Sequence, residues 1–126
     1  MAYLPNTYQL LGILKSANLN VTTDQAIPIQ GAAKYIIDKI ISTNPSTTLA
    51  ASIAAGGLYS AASKGGTNIV GAGQLYTALT AASKFNALTL ALTTDSLTAQ
   101  TIYFSLTVAH GSAASVDLYI YGYPLN

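Results

Sequence analysis

The chain has no cysteine, no tryptophan, no arginine and no glutamate. Without cysteine there is no disulfide framework, no thiolate nucleophile and no Cys-based metal site. Without arginine, and with a net charge of +1, it lacks the clustered basic footprint that nucleic acid requires. Only 7% of the residues are charged, against about a quarter in an ordinary soluble domain. A surface so poor in charge favours association, so much of it is expected to be covered in a larger assembly. No near-continuous apolar run reaches the roughly 18 residues of a membrane helix, because Ser, Thr, Gly and Asn interrupt the long uncharged windows at 40–63 and 96–116. The start, "MAYLPNTYQLLGILKSA", has no basic n-region and carries Pro5 early, a poor signal peptide.

What is present reads as β-structure. At 126 residues the chain is expected to form one domain, with an N-terminal arm over 1–17 and an all-β, antiparallel sandwich over 18–126. In "TIYFSLTVA", Ile102, Phe104, Leu106 and Val108 alternate with Thr101, Tyr103, Ser105 and Thr107, the period of a half-buried strand. In "VDLYIYGYP", Val116, Leu118 and Ile120 alternate with Asp117, Tyr119 and Tyr121. With "HGSAAS" between them, the two runs predict a β-hairpin. "NALTLALTT", "NLNVT" (18–22) and "AIPI" (26–29) are further strand candidates, and Pro28 confines the last to an edge or a bulge. Short strands with turn signals between them mark a sandwich or barrel.

Two segments are ambiguous. "AAKYIIDKIIS" (32–42) places Ile36, Ile37, Ile40 and Ile41 at helical spacing, yet so many isoleucines favour a strand buried on both faces, which is the expectation here. "GQLYTALTAASKF" (73–85) is expected to be at most a short helix or a long loop.

The glycines of "GGLYSAASKGGTNIVGAGQLY" (56–76) look at first like a phosphate loop. A Walker A loop needs Gly-Lys, whereas the order at 64–65 is Lys-Gly; the dinucleotide fingerprint needs a third glycine where Tyr76 stands. The glycines are instead expected to serve φ > 0 turns between strands, with Lys64 a surface charge. "LYSAASK" (58–64) partly returns as "LYTALTAASK" (75–84), a chance echo in an Ala/Ser/Thr-rich chain, in which Tyr59 and Tyr76 are placed to pack or to meet a neighbour. His110, the one histidine, is expected in a surface turn, with Asp117 across it. Asp24 and Asp95 read as turn residues bonding their own backbone. No pattern suggests catalytic, cofactor-binding or metal-ligating residues, and an enzyme is not expected.

Tyrosine is the informative residue, nine against two Phe. Tyr119, Tyr121 and Tyr123 lie opposite Val116, Leu118 and Ile120, and Tyr103 also points away from the core. Such a row predicts an amphipathic interface patch. With Tyr3 and Tyr8 from the arm, these are the candidate interface residues.

The run "AIPI…AAKYIIDKIISTNPSTTL…AAGGLYSAASKGGTNIV…LYTALTAASKF", followed by "LTAQTIYFSLTVAHGSAASVDLYIYGYPL", resembles small structural proteins of tailed bacteriophages, of the head decoration or cement type. The resemblance covers roughly residues 24–125. It implies a jelly-roll-like sandwich on the outside of a capsid, with the major capsid protein as partner, often as a homotrimer, made in the host cytoplasm and residing in the virion. It brings no catalytic residues, cofactor, nucleic acid or membrane. The alternative is a head-fibre or tail-associated module that binds a host receptor or glycan with the same sandwich. "MAYLPNTYQLL" is the candidate docking arm.

Overall fold

A computed structural model describes residues 7–92 and 94–125. Its regular structure is entirely β: β1 (Gln9–Asn18), β2 (Gln25–Pro28), β3 (Tyr35–Thr43), β4 (Ala55–Ala61), β5 (Gly65–Val70), β6 (Phe85–Ala87), β7 (Thr101–Val108) and β8 (Ser115–Pro124). They form two antiparallel four-stranded sheets, ordered β1-β8-β3-β6 and β2-β7-β4-β5. Every connection except β4–β5 switches sheet, which gives the strand order of a jelly roll. The segment 73–85 contains no helix; it is a turn-rich loop up to Phe85, where β6 begins.

The inner faces carry the alternating residues of each strand. Ile102, Phe104 and Leu106 of β7 meet Val116, Leu118 and Ile120 of β8 in one cluster, all fully buried, together with Leu11, Ile40, Leu58 and Ile69. Each such side chain contributes about 1.5–3 kcal/mol relative to exposure. Tyr76 joins them, its ring edge-on to Phe104 at 6.1 Å and its hydroxyl donating to the Gly56 carbonyl at 3.0 Å. Tyr59 is also buried, so both tyrosines of the echoed pairs pack inside. Their surroundings differ: 58–64 is strand and turn, 75–84 is loop.

Several expectations are corrected. β7 and β8 are not a hairpin: they sit in opposite sheets, and the 109–114 connection crosses the sandwich. That crossing is held by the His110 N–H on the Leu19 carbonyl and by the Leu19 N–H on the Ala114 carbonyl. Alternation told which of these apolar side chains face the core except Val108, which a bulge at Thr107 leaves exposed; but two strands can face one core from opposite sheets without pairing. Residues 18–22 are not a strand beyond Asn18; they form the turn after β1. From Gln9 on, the segment expected as an arm is an edge strand of the first sheet. "NALTLALTT" gives only the short β6 and an isolated bridge from Leu90 to Val70 of the other sheet. β2 is an edge strand, as Pro28 requires.

The 35–43 segment is a strand, and a bulge explains its helical look. Ile37 pairs with Gly122 and Lys39 with Tyr121, so Asp38 is the extra residue. The bulge shifts the side-chain phase, so Ile37 and Ile40 both point inward while Ile36 is 39% exposed. Only one face is buried, against the expectation of two.

The glycines of 56–76 are likewise not chiefly turn residues. Gly56 and Gly57 lie inside β4, where any side chain on Gly57 would run into the Val70 carbonyl of β5. Of the glycines in the stretch only Gly66 has positive φ, +67°. The β4–β5 turn is instead made by Ser63 and Lys64, at φ 59° and 56°, closed by the Gly65 N–H on the Ala62 carbonyl. Positive φ at both central residues is the mark of a type I′ hairpin.

Candidate functional site

The two outer faces of the sandwich differ in chemistry. Along β7 the second sheet carries Thr101, Tyr103, Ser105 and Thr107 on its outer side, with Ser105 fully buried and its hydroxyl accepting from the Lys64 ammonium at 2.9 Å. Across β1, β8 and β3 the first sheet presents rows of aliphatic and aromatic residues fixed by register. Ile13 pairs with Tyr119 and Tyr119 with Ile41; Leu10 pairs with Tyr121 and Tyr121 with Lys39; Tyr123 pairs with Ile36. Phe85 of β6 pairs with Thr43 and extends the same face. Among the described residues, Tyr8, Leu10, Ile13, Ile36, Phe85 and Tyr123 are large apolar side chains left exposed on this face, Phe85 by 65%. Ile53, Leu75 and Val108 form a smaller exposed group around Ala55 at the end of the second sheet.

The centre of the first face is an aromatic cluster. The Tyr8 ring lies parallel to that of Tyr121 at 6.0 Å and edge-on to that of Tyr123 at 5.3 Å. The bulges after Leu10 and Ile37 flank Tyr121 on both sides, and such bulges re-aim side chains. Burial pushes the Tyr8 hydroxyl above its ordinary pKa, helped by the Asp38 carboxylate and the neighbouring tyrosines. Beside the cluster, Lys15 donates to the Tyr119 hydroxyl at 2.9 Å and pairs with Asp117 at 3.4 Å. That hydrogen bond, with the Asp117 carboxylate, raises the Lys15 pKa.

Of the expected interface residues, Tyr8, Tyr119, Tyr121 and Tyr123 come together on this face. Tyr103 does not join them, because β7 belongs to the other sheet; it pairs with Ala26 and Tyr59 there. Tyr3 lies outside the described residues. Sequence reading missed Leu10, Ile13, Ile36 and Phe85, whose strands are bulged or short; the exposed side of "LLGIL" was the available signal.

The polar residues sort differently from expectation. His110 Nδ1 lies 2.7 Å from Ser52 Oγ, a serine–histidine pair that the sequence did not suggest. Triad chemistry adds a carboxylate orienting the histidine. Here Asp117 instead accepts from the Ser16 N–H, Asn44 and Lys15. Asp24 accepts the Ser63 N–H at 2.8 Å, fixing the β4–β5 turn rather than its own backbone, and that bond holds its carboxyl below the usual range. Ser52 Oγ also accepts the Ala54 N–H at 3.1 Å, so the pair reads as a brace for the chain entering β4. Among the described residues no three His, Cys, Asp or Glu side chains gather to hold a metal ion. Comparison with protein families, curated proteins and solved structures finds no match to this chain.

Proposed function

We propose that the protein is a non-enzymatic structural component of a bacteriophage virion, which decorates the outer surface of the capsid and stabilises it. The observation that carries this reading is the apolar and aromatic outer face of the first sheet. A contiguous patch of this kind on a charge-poor chain marks a protein interface. The jelly-roll strand order and the resemblance to phage structural proteins support the same conclusion. The partner is the major capsid protein: subunits that bind best when capsomers hold their mature geometry stabilise the shell by mass action.

The test is co-sedimentation of the purified chain with empty capsids. Stoichiometric occupancy, at hundreds of copies per particle, is the expected result. The Tyr8–Tyr121–Tyr123 cluster also suits a sugar ring, the basis of a glycan-binding fibre or tail module. Rare copies in particles, with binding to cells or glycans, would establish that role instead. Deleting residues 1–10 is expected to lower capsid occupancy, and unchanged occupancy removes the docking role of that segment.

A further inference from the structure

The open edge of β1 carries a socket, and we infer that it takes one aliphatic side chain from an extended, uncharged segment of the major capsid protein. This rests on the reading of the first sheet's outer face as the capsid contact and names the anchor at its margin.

The main chain of β1 is only partly satisfied on its outer edge. Residues of an antiparallel strand turn their N–H and C=O alternately towards and away from the neighbouring strand. Asn18, opposite Ser115, turns both away from β8 and onto the Gln25 side-chain amide, at 2.8 Å each. Tyr119 and Tyr121 share the phase of Ser115, so their partners Ile13 and Leu10 turn outward as well. Among the described residues nothing bonds either of them on that side; between them the Leu11 carbonyl is taken by the Gln30 N–H at 2.8 Å. Open main-chain groups on a sheet edge are what an extended partner segment bonds.

Beside these groups lies a cavity of about 330 Å³, between Leu10, Leu11, Gly12 and Ile13 of β1 and Pro28 and Gln30 at the end of β2. That is the low end of the range for ligand sites, room for a side chain rather than a cofactor. Gly12 lets β2 come this close: a methyl group there would meet the Pro28 carbonyl at 3.0 Å and Ile27 at 3.1 Å.

No charged residue lines the cavity. A charged side chain entering it would lose its hydration without gaining a partner, whereas an aliphatic one gains by leaving water. Leu10 and Ile13 wall the cavity and also stand exposed on the outer face. The socket is therefore continuous with the surface assigned to the capsid. Side chains seated in such pockets carry most of an interface's energy.

Blocking the mouth of the socket tests this. The chain has no cysteine, so Gln30→Cys supplies a single thiol at an exposed position outside the first sheet. Co-sedimentation with empty capsids is measured before and after labelling with N-phenylmaleimide. The unlabelled variant should bind as the wild type does. The label should raise the dissociation constant at least about 10-fold, whereas the same label on Ile53→Cys should leave it unchanged. Amide hydrogen exchange of the unaltered chain needs no variant, and decides if the labelled protein does not fold. On capsids, exchange at Leu10 and Ile13 should slow at least about 10-fold. Unchanged capsid affinity of a folded, labelled chain, or unchanged exchange at these two amides, overturns the inference and leaves decoration standing. Wild-type chain that does not co-sediment at all overturns both. If light scattering shows that the label splits an oligomer of the free chain, a second copy occupies the socket, and the inference falls.

Discussion

The Asp117 Oδ1 carboxylate oxygen accepts the backbone N–H of Ser16 at 2.8 Å, across the sheet from β8 to β1. Ser16 has φ 53° and sits in the bulge between Leu14 and Ala17. The bulge takes Lys15 and Ser16 out of the ladder, and the carboxylate supplies the acceptor that the ladder no longer does. The other oxygen receives the Asn44 amide at 3.0 Å and the Lys15 ammonium at 3.4 Å. One side chain thereby ties β1, β8 and the end of β3 together.

Asp117→Ala should therefore destabilise the fold by about 1–3 kcal/mol, through the loss of the hydrogen bonds that a nearly buried carboxylate accepts from three donors. Urea unfolding measures it. Asp117→Asn should cost part of this: its carbonyl can still accept from Ser16, but its amide then faces the Asn44 amide and Lys15, all donors.

The same carboxylate makes the fold acid-sensitive. Burial works against its charged form, but the Ser16 N–H, the Asn44 amide and Lys15 outweigh it and hold the Asp117 pKa below the usual range. A depressed pKa adds stability that is fully present above the unfolded value of about 3.9 and is lost as pH falls through the folded value. Asp24 acts in the same direction through the Ser63 N–H. Unfolding midpoints measured down from pH 5 should drop below about pH 4. The drop should be shallower in Asp117→Asn.

How far the sequence disclosed the fold depended on where the bulges fall. β8 and, from Ile102 to Leu106, β7 add no extra residue to their ladders, and the apolar residues that face the core there were plain from period two alone; the bulge at Thr107 then turns Val108 outward, which period two did not show. In β1 two bulges interrupt the alternation, so "LLGILKSAN" looks irregular although it pairs with β8 along most of its length. In β3 the single bulge at Asp38 turned a strand into an apparent helix face. Pairing was less visible still. The β7 and β8 patterns specify one core but not two sheets, and the crossing of 109–114 rests on bonds to Leu19 and Asn20, some ninety residues away. The aromatic row of β8 was legible as an interface; the aliphatic flanks from β1, β3 and β6 became so only once register placed them beside it.

Glycine chemistry offers a sharp contrast. Gly57→Ala should destabilise by about 3 kcal/mol or more or prevent folding, because the Val70 backbone occupies the space a methyl group needs. Gly71→Ala should be neutral within about 0.5 kcal/mol, since nothing lies near its would-be Cβ. Thermal unfolding of the pair separates close backbone approach from turn strain, as neither glycine has positive φ.

The alkaline limb belongs to buried tyrosine. Tyr35 is fully buried and donates its hydroxyl to the Ala99 carbonyl at 2.6 Å, and burial pushes its pKa up to about 12. Tyr76, donating to Gly56, is raised by burial and by the nearby Tyr59. A folded pKa above the unfolded value of about 10 means stability is intact below pH 10 and is lost as pH rises towards the folded value. Wild-type protein should therefore lose stability between pH 10 and about 12. Tyr35→Phe should lower stability at neutral pH by about 1 kcal/mol, by leaving the Ala99 carbonyl without its donor, yet flatten the alkaline decline because one ionising group is gone. Urea unfolding of both proteins across this pH range checks the two effects together. A parallel decline in the two would show that Tyr35 does not govern the limb.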